Sequence, residues 1–157
     1  MFPSHDLIQH IDGEGEIALC ILSAINVGKI DKRDELEPLC DLAIRALDEI
    51  IDLQKYPIVA AEVSTKARRS LGIGYIGLAH YLAKKGYKYN QKLAWRQVDK
   101  LTEAFQFYLL SASMEVAKEK GKCEYFDKTK YADGILPIDT YKKDVDEIVK
   151  REYSFRS

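Results

Sequence analysis

The most apolar run of the chain lies in Gly15–Gly28 (GEIALCILSAINVG), where Ile17 to Ile25 carry no charge and Cys20 sits near the centre. A short apolar run bounded by glycines suits a strand buried on both faces, and a buried helix of two turns leaves the same pattern. Further on, Leu36, Cys40, Ala43, Leu47 and Ile50 recur at helical spacing. They predict an amphipathic helix of about five turns. Asp34 and Glu37 resemble a capping box, Pro38 falls in the first turn, and Tyr56-Pro57 ends the element. Residues 58–68 predict a short helix, and residues 70–77 (SLGIGYIG) a short buried strand whose glycines allow close backbone approach. A helix over 77–85 stops at Gly86.

The longest helical pattern runs from Leu93 to Lys120, striped by Val98, Leu101, Phe105, Leu109, Ala112 and Val116 and closed by Gly121. Unbroken, it would reach roughly 42 Å. Trp95, Phe107 and Tyr108 are expected to widen its buried surface. Residues 124–139 read as loop, and Asp139 as the N-cap of a last helix, Thr140 to Lys150. Residues 1–14, polar and broken by Pro3 and Gly13, read as an irregular lead-in to one segment, 15–157. The expected class is mainly α with a few short strands.

Composition narrows the function more than the fold. At 157 residues, 46% hydrophobic and 31% charged, the chain is one ordinary domain, neither disordered nor membranous. A net charge of -1 gives no global reason to expect nucleic acid or an anionic membrane surface. No signal peptide is visible, so a reducing cytoplasm is the expected setting. Charge is nevertheless uneven. Asp31 to Asp52 holds eight acids against three bases, and Ser64 to Lys100 nine bases against one acid. Two solvated helix faces, lying against each other, account for this without a phosphate-binding surface.

Cys20, Cys40 and Cys123 are odd in number and widely spaced, which fits neither a disulfide scaffold nor a zinc site. Cys40 falls on an apolar helical stripe and reads as a packed small hydrophobe. Cys123, among lysines, reads as a passive thiol. His5 and His10 do not share a helical face, which argues against a metal there, and His80 reads as a packed helix residue. Gly72, Gly74 and Gly77 match G-x-G-x-x-G, but the basic Lys66-Ala67-Arg68-Arg69 precedes them where a dinucleotide site needs an apolar strand.

GEIALCILSAINVGKI resembles the segment of class Ia ribonucleotide reductase large subunits that carries a redox-active cysteine. The resemblance continues through Arg45-Ala46-Leu47-Asp48, Tyr56-Pro57-Ile58, residues 67–74 (ARRSLGIG), His80-Tyr81-Leu82-Ala83-Lys84, residues 117–121 and residues 134–142 (GILPIDTYK). It covers nearly the whole chain from about Ile11, in order, and is closest to bacterial and phage versions. It implies a partial segment of a ten-stranded α/β barrel. In that family a thiyl radical abstracts a hydrogen from the ribose of a ribonucleoside diphosphate, and two further cysteines supply electrons and become a disulfide. Cys20 matches one of that pair, and Leu22 is implied as a substrate contact.

The family's radical cysteine in Asn-x-Cys-x-Glu, the partner cysteine, the phosphate-binding loop, the radical-transfer tyrosines and the tail cysteines have no counterpart in residues 1–157. The resemblance therefore implies a piece of a split large subunit that works only with companion fragments. Its further partners would be the reductase small subunit and thioredoxin or glutaredoxin. No cofactor is expected in this chain; the family's di-iron tyrosyl radical centre belongs to the small subunit. The alternatives are a non-catalytic relic or regulatory module that binds reductase subunits, and a free-standing helical interaction protein. Such a segment is expected to leave a strand edge and an apolar patch uncovered.

Overall fold

A computed structural model describes residues 8–11 and 14–139, in a chain made of two compact units, Met1–Cys123 and Glu124–Ser157. The first unit opens with an antiparallel pair, β1 (Ile8–Ile11) and β2 (Glu14–Ile17), in register Ile8↔Ile17 through Ile11↔Glu14. The irregular lead-in expected over 1–14 is thus a strand where it is described. The ladder is made by backbone groups, and polar side chains do not oppose it.

The apolar run is neither one strand nor a helix. β2 ends at Ile17, residues 18–20 leave the ladder, and β3 spans Ile21–Asn26. β3 pairs in parallel with β4 (Leu71–Ile76), from Ile21↔Leu71 to Asn26↔Ile76. Among the described residues this second sheet is packed on one face only, not on both as the uncharged run predicts. Helices α1 (Leu36–Leu53) and α4 (Lys92–Lys120) lie on that face. Two shorter helices, α2 (Val59–Arg68) and α3 (Leu78–Lys84), lead into and out of β4.

The core forms where α1 and α4 meet the sheet. Leu36, Cys40, Leu101, Ala104 and Phe105 enclose Ile25 and Val27, and Tyr75 meets Phe105 edge to face with centroids 5.4 Å apart. Farther along, Ile44, Ala112 and Val116 pack with Leu71, Ile73 and Leu109. Cys40 is fully buried, as its place on the stripe predicts. Ile44 and Ile51 take the core positions on α1, while Ile50 is exposed. Trp95 and Phe107 are also exposed rather than part of a widened buried surface, with Trp95 Nε1 donating to the Tyr89 carbonyl at 2.6 Å.

Helix ends follow local chemistry with small shifts. The start of α1 is organised two residues earlier than Asp34–Glu37: Lys32 N–H donates to Glu35 Oε1 at 3.1 Å, and a 3-10 turn over Arg33–Glu35 leads into the helix. Pro38 sits in the first turn, where no helical N–H is lost. Gly86 and Gly121 close α3 and α4 with positive φ. The acidic and basic segments do meet, through Arg69 with Asp48 and Asp52 and through Lys84 with Asp31.

In the second unit a 3-10 turn at Phe126–Lys128 is followed by turns and a helical start at 137–139. Asp139 is not the N-cap. It lies inside that start, its Oδ2 accepting the Leu136 N–H at 2.9 Å. The helix expected over Thr140 to Lys150 lies outside the described residues.

Candidate functional site

Side chains of a strand alternate between its faces. On β3, Ile21, Ser23 and Ile25 turn toward the helices, and Leu22, Ala24 and Asn26 turn away. On β4, Gly72, Gly74 and Ile76 accompany the second set through the parallel register. The resulting face is smooth, almost uncharged and open. Leu22 and Ile76 are each 55% exposed, and a Cβ added at Gly74 would meet nothing within 4 Å. Cys20 immediately precedes β3, two residues before Leu22. The ladder is continued to its neighbour by Ile21 N–H donating to the Ser70 carbonyl at 3.2 Å.

The Cys20 thiol is half-buried, and its Sγ lies 3.8 Å from the Ile21 carbonyl. Burial pushes its pKa up, so at neutral pH it is held as the thiol rather than the thiolate. A protonated, positioned thiol suits hydrogen and electron donation better than standing nucleophilicity. Burial pushes Cys40 further, up to about 11. Cys40 belongs to the helical core, and Cys123 is half-buried beyond the end of α4. Cys20 and Leu22 lie two residues apart at the start of β3, and the other two thiols sit on separate elements.

The opposite end of the strand pair is built tightly. Asn26 Oδ1 accepts the Gly28 N–H at 3.1 Å. Gly77, with φ 78°, lies so close that an added Cβ would be 2.3 Å from that oxygen. Gly72 and Gly74 lie inside β4 and only Gly77 precedes a helix, so G-x-G-x-x-G does not form the strand–loop–helix cradle that holds a pyrophosphate. His80 is exposed on α3 rather than packed. Among the described residues, no group of three or more His, Cys, Asp or Glu is placed to hold a metal ion.

Beside the face, an apolar groove of about 480 Å³ runs between β3 and α1, lined by Ser23, Ala24, Ile25, Leu39, Leu42 and Ala46 among others. Among the described residues no strand pairs with this edge of β3. The groove and the Gly72–Gly74–Ile76 floor are parts of the site that the sequence reading missed. The alternation of Leu22-x-Ala24-x-Asn26 and Gly72-x-Gly74-x-Ile76 was the signal available for the floor.

The family model described as ribonucleotide reductase, barrel domain, matches residues 5–155. Among curated proteins, the chain is 59% identical over 144 residues to the ribonucleoside-diphosphate reductase subunit alpha of Haemophilus influenzae, covering 91% of this chain and 19% of that protein. It is 39% identical over 142 residues to the subunit alpha of Enterobacteria phage T4, covering 89% of this chain and 18% of that one. The subunit alpha of Helicobacter pylori is 31% identical over 126 residues, covering 80% and 16%. The chain spans about a fifth of the length of the first of these relatives.

Proposed function

Since the chain belongs to the ribonucleotide reductase barrel-domain family, we propose that it supplies one redox-active cysteine, Cys20, to the reduction of ribonucleoside diphosphates, acting only with the remaining parts of a large subunit. The observation that carries this reading is the open face of the β3–β4 sheet. An exposed leucine stands on a smooth apolar surface, with Cys20 just before its strand and α1 and α4 packed on the other side. A sheet that packs helices behind it and leaves such a face bare is suited to line the inside of a barrel. The edge of β3 that pairs with no strand among the described residues, and its groove, are where neighbouring strands would join.

In the assembled enzyme the face would be shut off from water, which a radical intermediate requires. Leu22 would pack against the substrate beside the thiol. The reaction takes the ribose 2′-hydroxyl off as water and puts hydrogen on that carbon. Two thiols, Cys20 and a partner cysteine from outside this chain, lose two electrons and two protons and become a disulfide. An external dithiol of the thioredoxin or glutaredoxin kind restores them. The small subunit, with its di-iron tyrosyl radical centre, would start the radical. No residue of this chain is assigned that step.

Reduction of CDP by the reconstituted enzyme tests the proposal. Cys20→Ser should assemble normally and lose multiple turnover, because the disulfide can no longer form and be recycled. Normal cycling of the Ser variant with dithiothreitol as reductant would reduce Cys20 to a packing residue.

A further inference from the structure

Among the described residues, Arg69 is the one non-glycine residue with a left-handed backbone, φ 48° and ψ 47°. A residue with a Cβ adopts this conformation at a cost, and it persists only where the surroundings over-determine it. The surroundings do so here. Arg69 Nε donates to Asp48 Oδ1 at 2.7 Å, and Nη2 to the Asp48 carbonyl at 2.8 Å. Nη1 and Nη2 donate to the two carboxylate oxygens of Asp52, each at 2.9 Å. The second oxygen of Asp48 accepts from Lys120 Nζ at 2.9 Å, and Lys120 also pairs with Glu49. The Asp48 side chain is only 9% exposed. One guanidinium therefore ties α1 to the turn between α2 and β4, and Lys120 adds the last turn of α4.

The backbone carries this anchor to the thiol. Arg69 N–H closes α2 onto the Thr65 carbonyl at 2.8 Å. The next residue, Ser70, offers its carbonyl to Ile21 N–H at 3.2 Å, where β3 begins. Ile21 is covalently joined to Cys20.

We propose that Arg69 is a positioning residue for Cys20. Clamped to Asp48 and Asp52, it holds the Ser70 carbonyl at the height that receives Ile21 N–H, and so sets where the thiol stands at the start of β3. The part of this inference that concerns turnover rests on the redox reading of Cys20; the geometric part does not. Glycine would take the same φ without penalty but has no side chain to reach Asp48. Lysine keeps the charge but lacks the planar fork that engages both carboxylates and a carbonyl together. The two substitutions therefore separate backbone shape, charge and geometry.

The test uses the full 157-residue chain. Amide exchange is read at Ile21 and Ile25 by NMR, and alkylation of Cys20 by iodoacetamide. In Arg69→Gly, exchange at Ile21 should speed up about tenfold relative to Ile25, about the net worth of the one backbone hydrogen bond to Ser70 that the clamp supports. Cys20 should alkylate faster in step, and Arg69→Lys should fall between the two. Equal acceleration along β3, with the Ile21-to-Ile25 ratio unchanged, would mean a merely structural clamp and overturn the proposal. If Arg69→Gly does not fold, the same ratio in Arg69→Lys and Asp52→Asn decides in the same way. In the reconstituted enzyme, Arg69→Gly should slow CDP turnover without reducing assembly. A shifted ratio with normal turnover in both Arg69→Gly and Cys20→Ser leaves the positioning intact and removes the redox reading. An unshifted ratio removes the positioning, whatever Cys20→Ser does.

Discussion

Ile21, Ser23 and Ile25 alternate along β3 with Leu22, Ala24 and Asn26, yet the two sets live in different surroundings. The first set, with Leu71, Ile73 and Tyr75 of β4, is covered by α1 and α4 and feeds both apolar clusters. The second, with Gly72, Gly74 and Ile76, is left largely exposed among the described residues, although it is nearly as apolar. Burial of one face thus supplies the stability that lets the other remain available. An apolar sheet face with a free edge is costly to leave in water, and it marks where further protein must be added.

The largest expected effect comes from the covered face. Phe105 is 5% exposed and supports Tyr75 edge to face, so Phe105→Ala should lower the unfolding free energy in urea by about 3–5 kcal/mol. A loss below about 1 kcal/mol would mean that the helices do not hold the sheet as described.

A smaller effect, of about 1–2 kcal/mol, is expected for Asp48→Asn at neutral pH, through the hydrogen bonds that tie α1 to Arg69 and Lys120. Burial pushes the Asp48 carboxyl up, but hydrogen bonds from Arg69 and Lys120 outweigh it and hold the group below its ordinary range. Asp52 is held low chiefly by its hydrogen bond from Arg69. A carboxylate depressed in the folded state stabilises above its unfolded pKa, and that contribution fades as pH falls through the folded value. The urea midpoint should therefore be level above about pH 5 and decline from about pH 4 downward. Asp48→Asn should flatten the decline, and an unchanged acid limb in that variant would assign it to other carboxylates.

The smallest effect on stability belongs to the open face. Leu22→Ala should change unfolding free energy by no more than about 0.5 kcal/mol, because the side chain is 55% exposed. The same substitution should impair CDP reduction once the barrel is assembled. A stability loss for Leu22→Ala comparable to that of Phe105→Ala would show the open face to be packed in solution, as by self-association, and the contrast between the faces would collapse.

Much of this arrangement is legible in local pattern, and the failures have identifiable causes. The helix over Lys92–Lys120 and its stop at Gly121 follow from a single 3.6-residue stripe and one glycine. Helix α1 is harder because it carries two apolar stripes. Leu36, Cys40, Ile44, Leu47 and Ile51 are buried, while Leu39, Leu42, Ile50 and Leu53 are exposed on another side. Spacing alone cannot rank two stripes of similar hydropathy, which is why the predicted stripe includes Ile50. The same ambiguity affects Ile17–Ile25, where both sets of an alternating strand are apolar and no polar residue marks the side left open. Cys20 and Leu22 were legible as a pair only through a family resemblance. The groove beside β3 has no counterpart in the linear pattern, since its walls come from separate elements.

What the sequence by itself determined is the set of elements and their ends: apolar periods of two and 3.6, Pro38 in a first turn, and Gly86 and Gly121 with positive φ. Only the tertiary structure decided that β3 lies parallel to β4, that α1 and α4 cover the Ile21–Ser23–Ile25 face, and that Arg69 is held left-handed between Asp48 and Asp52. The physical reason is range. Helical and turn preferences act between residues a few positions apart and leave a local trace. Strand pairing is made by backbone groups that are alike at every residue, and its partner is chosen by which apolar surfaces remain to be buried once the whole chain has closed.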